Sequence, residues 1–134
     1  MPGTGIANTG TGTAIMFPTA TKMRMVTFAW TSTSGGAFSI TTSEQFSGWV
    51  CSLETIPGGT TPSDLYDLVL NNDNGTDLMG GAGADRSATT KEIVLPLNGG
   101  SPVVVPICGT KLTLVGSNAG NAKTGTAYVY IQDR

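Results

Sequence analysis

The chain has no histidine, two cysteines and few charged groups, seven Lys and Arg against nine Asp and Glu in 134 residues. Without histidine the commonest general base and the commonest metal ligand are both missing. A Ser/His/Asp or Cys/His triad therefore cannot be assembled from this chain alone. Two separated cysteines fall short of the four Cys/His ligands of a structural zinc. A net charge of −2 leaves no basic surface to neutralise a run of phosphates, so no nucleic-acid partner is expected. Every apolar run is interrupted by Gly, Thr, Ser or Asp well short of the ~20 residues that span a bilayer as a helix, so no membrane partner is expected either. The first 21 residues lack the Lys or Arg and the continuous apolar run of a secretory signal, which points to synthesis and folding in a cytosol.

Gly, Pro and Thr are abundant, at 19, 7 and 21 positions. They favour strands and turns, and the length suits one such domain. The pattern divides the chain into an extended N-terminal arm, residues 1–21, and a β-sandwich domain, residues 22–134. The arm carries no charged side chain and no sustained periodicity, and Ile6, Ile15, Met16 and Phe17 are the apolar anchors with which it would bind a partner. From Lys22 the spacing becomes two, with Arg24, Val26, Phe28 and Trp30 pointing one way. Ser34-Gly35-Gly36 signals a turn, and Phe38–Thr41 reads as the second strand of a hairpin. Phe46–Ile56 is a long strand with Phe46, Val50 and Ile56 on one parity and Trp49, Cys51 and Leu53 on the other. Leu65–Leu70 puts Tyr66, Leu68 and Leu70 on one face, and Asn71–Gly75 turns the chain. Gly80–Ala88 reads as a loop with at most one helical turn. Four apolar runs follow, Ile93–Leu95, Val103–Cys108, Lys111–Val115 and Ala127–Gln132, the last two joined as a terminal hairpin. Pro96, Pro102 and Pro106 place their strands at edges or bulges. About eight short strands and no amphipathic helix give an all-β fold, a small antiparallel sandwich or barrel.

The search for chemistry assigns no catalytic, metal or cofactor residue. Asn71, Asn72, Asp73, Asn74 and Asp77 offer oxygen ligands, but placing Gly75 at position 6 of a calcium loop puts Leu70 at position 1 and Gly81 at position 12. Gly80–Gly83 lacks the helix of a dinucleotide loop, and Ala122 stands where a nucleotide loop needs Gly. The pairs Asp64/Asp67 and Asp73/Asp77 would need a cleft that a compact sandwich scarcely offers. Arg86, in an otherwise nearly uncharged loop, reads as a salt bridge or a cap on carbonyls. Trp30 and Trp49 read as core, although with Tyr128 and Tyr130 they would also supply the stacking platform of a carbohydrate-binding module. Cys51 and Cys108 read as buried thiols, or as a disulfide if their strands are neighbours.

One stretch is specific in order and not only in composition: Tyr66-Asp67, the Asn/Asp turn with Gly75, Asp77-Leu78-Met79-Gly80-Gly81, Gly83 and Arg86-Ser87-Ala88-Thr89. With Leu112-Thr113-Leu114 and Ser117–Thr126 it resembles small structural proteins encoded among the virion genes of tailed bacteriophages, over roughly residues 23–131. The resemblance implies a non-enzymatic virion component assembled in the bacterial host cytoplasm. As a capsid decoration or cement protein, its partners would be the major capsid protein and copies of itself. A tail or head-completion subunit is the alternative within that class. No catalytic residues come with the resemblance.

Overall fold

The computed structural model describes residues 23–133, so the arm with Ile6, Ile15, Met16 and Phe17 lies outside the described residues. Ten strands occur in order: β1 (Met23–Thr31), β2 (Phe38–Thr41), β3 (Phe46–Pro57), β4 (Asp67–Asn71), β5 (Glu92–Val94), β6 (Leu97–Asn98), β7 (Ser101–Pro102), β8 (Val105–Thr110), β9 (Thr113–Ser117) and β10 (Thr124–Gln132). All pairings between them are antiparallel, no helix occurs among the described residues, and neither main sheet closes into a barrel. The first sheet runs β1-β10-β3, and the far edge of β3 is shared by β5 and β8. The second is β2-β9-β4, and β6-β7 is a separate small hairpin.

Alternation builds the core between the two sheets. Val26, Phe28 and Trp30 of β1 face inward, opposite Val129, Ala127 and Gly125 of β10. Large rings on one strand meet the smallest residues on the next: a Cβ on Gly125 would strike the Trp30 indole. Trp30 then stacks on Phe38 of the second sheet at 4.5 Å between ring centres, with Tyr66 at 5.6 Å on its other contact. Burying each such side chain contributes about 1.5–3 kcal/mol, and these rings are where the sheets are joined. At the open end of β1, Met23 lies opposite Gln132, and Arg24 Nε donates to Asp133 Oδ2 at 3.1 Å.

Several expectations are corrected. Phe38–Thr41 does not return as a hairpin beside β1; it pairs with β9 in the other sheet. Lys111–Val115 and Ala127–Gln132 do not pair either, because the loop after β9 also crosses between sheets. In β3 the buried residues are Phe46, Val50, Leu53 and Thr55, so Leu53 changes sides relative to the simple parity while Trp49 and Ile56 point outward. The irregularity opposite Tyr130/Ile131 causes this: Ile131 pairs with Val50 and Tyr130 with Ser52, which leaves Cys51 as an extra residue in β3. A second irregularity lies beside Gly48, whose φ of +130° lets its backbone approach Gln132 O; its extra residue is in β8, and Phe46 and Val50 stay on one side of β3. Each adds a residue to one strand and re-aims the side chains beyond it. Trp49, on the parity opposite Phe46 and Val50, is 43% exposed, not core, whereas Trp30 at 2% is core as expected. Cys51 is half-buried and Cys108 exposed, both free thiols; the β3-β8 register sets Cys108 beside the Gly48 irregularity, well along the strand from Cys51. Pro106 sits opposite Trp49 on β8, an edge strand that pairs with β3 alone, where proline is tolerated.

Candidate interaction surface

The sequence stretch richest in polar residues folds into a tied loop. Leu65, at φ +63°, turns the chain so that Tyr66 enters the core. Arg86 N donates to Tyr66 O at 2.7 Å, and Leu65 N donates to Arg86 O at 3.0 Å. Four carboxylates then accept backbone N–H groups. Asp77 takes those of Leu70, Met79 and Gly81 at 3.2, 3.0 and 2.9 Å. Asp67 takes that of Asp85 at 2.9 Å and the Asn118 amide at 2.7 Å. Asp64 accepts from Ala88 N at 3.0 Å and Glu92 from Ser87 N at 2.8 Å. The loop lies so close to its neighbours that a Cβ on Gly80 would strike Leu97 O and one on Gly83 would strike Leu68 O.

This geometry gives the motif's carboxylates a structural use. Asp64, Asp67 and Asp77 are each committed to a different part of the backbone. Arg86 fulfils both of its simple readings, donating to Ala84 O at 3.0 Å and lying 3.4 Å from Glu92. Asn72 Oδ1 accepts from Asn74 N and Thr76 N, which makes the Asn/Asp segment a side-chain-stabilised turn with Gly75 at φ +79°. No group of three or more His, Cys, Asp or Glu among the described residues is arranged to hold a metal. Inside the core, burial pushes the Tyr66 phenol above its ordinary pKa, while Thr55 facing it pulls the other way. The Tyr66 and Thr55 hydroxyls and Trp30 Nε1 make no hydrogen bond among the described residues.

The outer face of the five-stranded sheet is built differently. Three of its cross-strand rows are Met23–Gln132–Trp49–Pro106, then Met25–Tyr130–Ser52, and then Thr27–Tyr128–Glu54–Ile93. Trp49 and Ile93 are well exposed, and the alternate outward positions of β10 are all half-exposed. Tyr130 Oη donates to Glu54 Oε1 at 2.8 Å. Burial, together with a carboxylate that accepts its proton and repels its anion, pushes Tyr130 up to about 12. These rows contain no Lys or Arg, and Glu54 is their single charge. Of the four aromatic residues that would form a stacking platform, Trp49, Tyr128 and Tyr130 come together here; Trp30 is on the opposite, inner face. The outward position of Trp49 agrees with its parity, opposite buried Phe46 and Val50; reading it as core gave its apolar ring more weight than that alternation.

No family model, curated protein or solved structure matches this chain.

Proposed function

We propose that this chain is a non-enzymatic structural protein of a tailed-phage virion, a decoration or cement protein that binds the major capsid protein and copies of itself. The observation that carries this reading is the use of the motif's polar residues: four carboxylates hold one loop to the sandwich. An architectural use of these residues supports the reading, because a subunit whose task is to present a rigid surface needs its loops tied down. The short strands, tight loops and low charge suit a small domain that lies on a large assembly. The arm, through Ile6, Ile15, Met16 and Phe17, would tether it, because backbone pairing plus apolar anchors can offset the ~1–2 kcal/mol per residue that ordering the arm costs.

Co-sedimentation with undecorated capsids tests the reading. The expected result is saturable binding in proportion to the number of capsid subunits, with loss of binding on deleting residues 1–21. Absence from heads, with a low copy number confined to tails or connectors, would instead assign a tail or head-completion role.

A further inference from the structure

The outer face of the five-stranded sheet combines three features. First, Trp49, Tyr128 and Tyr130 occupy neighbouring positions on two adjacent strands. A strand rise of about 3.4 Å per residue sets Tyr128 and Tyr130 about 7 Å apart along β10, with Trp49 continuing the line diagonally across to β3. Second, the groups beside the rings are hydrogen-bonding and almost uncharged: Ser52, Gln132 and Glu54, the last fixing Tyr130 through its hydroxyl at 2.8 Å. Third, neither Lys nor Arg stands in these rows.

Each feature narrows the occupant. A polyanion has no cation to meet here, so nucleic acid, teichoic phosphate and acidic glycans are disfavoured. A second copy seated face to face about the sheet centre would bring two Glu54 carboxylates together, and like charges brought together in an interface are costly. A row of rings flanked by hydrogen-bonding groups, of which Glu54 alone is charged, suits a ligand with apolar C–H faces and hydroxyls around its edge. We infer that this face binds a neutral polysaccharide of equatorially linked pyranoses, stacking sugar rings on Trp49, Tyr128 and Tyr130 while Glu54, Ser52 and Gln132 bond the hydroxyls. This goes beyond the capsid-binding reading and does not depend on it.

The full-length chain is tested against insoluble cellulose and chitin and soluble hydroxyethylcellulose, with α-linked dextran and an anionic polymer, heparin, as comparisons. Retention is expected on at least one of the β-linked neutral polymers and not on dextran or heparin. Trp49→Ala and Tyr128→Ala should each weaken it by about tenfold or more, with unchanged circular dichroism. Tyr130→Phe keeps the ring but frees Glu54, and should weaken binding less than either alanine variant. No retention on any β-linked polymer, equal retention by Trp49→Ala, or preference for heparin each overturns the inference. So does a dimer in light scattering that Trp49→Ala dissolves, because the face would then belong to a second copy. Capsid co-sedimentation is scored separately, so that failure of one reading leaves the other standing or falling on its own assay.

Discussion

The tied loop between β4 and β5 and the outer face of the five-stranded sheet use their side chains in opposite directions. In the loop, acidic groups turn toward the chain: Asp77 alone accepts three backbone N–H groups. On the sheet face, the aromatic groups turn away from it, and Trp49 exposes 43% of its surface. The first region looks like a site in the sequence and is a scaffold in the structure. The second has no motif and presents an exposed row of aromatic side chains. The contrast teaches that a cluster of Asp, Asn and Gly must be checked against the backbone's own need for acceptors before it is credited with chemistry.

Substitution should separate the two regions sharply. The largest effect is expected from Gly83→Ala, whose Cβ would be driven into Leu68 O on the adjoining strand; a loss of about 3 kcal/mol in urea unfolding is expected. Asp77→Ala comes next, at about 2 kcal/mol, since it strips three N–H groups of their acceptor at once. A third effect is set by pH. Unfolded tyrosine releases its proton near its ordinary value of 10.0, whereas folded Tyr130 holds it to about 12, and Tyr66 is shifted in the same direction. The folded state thus keeps more protons in that window, so stability should fall as pH rises from about 10 toward 12. Tyr130→Phe should flatten that slope, read by urea midpoints at each pH. The smallest effect on stability belongs to Trp49→Ala, within about 0.5 kcal/mol. A Trp49→Ala penalty equal to that of Gly83→Ala would break the division between scaffold and surface.

Strand positions were legible because each strand has one buried side. The spacing of Val26, Phe28 and Trp30, and of Tyr66, Leu68 and Leu70, translates directly into core. Partners were not legible, because turn signals at Ser34–Gly36 and Ser117–Gly125 are the same whether the chain folds back in its own sheet or crosses to the other. Side assignments failed where the ladder slips. A period of two carries no information across an inserted residue, and the extra residue at Cys51 offset every β3 position beyond it. The backbone destinations of Asp64, Asp67 and Glu92 were equally hidden, since their acceptor role depends on a loop folded 5 to 24 residues away.

The Arg24–Asp133 ion pair closes the corner where β1 starts and β10 ends, and that corner decides how the domain answers to tension. A pull applied between these two points does not load the β1-β10 ladder along its length. It opens the ladder like a zip, one pair at a time from Met23–Gln132 toward Thr31–Thr124. Resistance then never exceeds that of the pair at the fork, and the ion pair acts as the catch. A load entering at Met23 and leaving through the far end of the sheet would instead strain all nine pairs together. The same strand is thus weak or strong according to where its partner holds it.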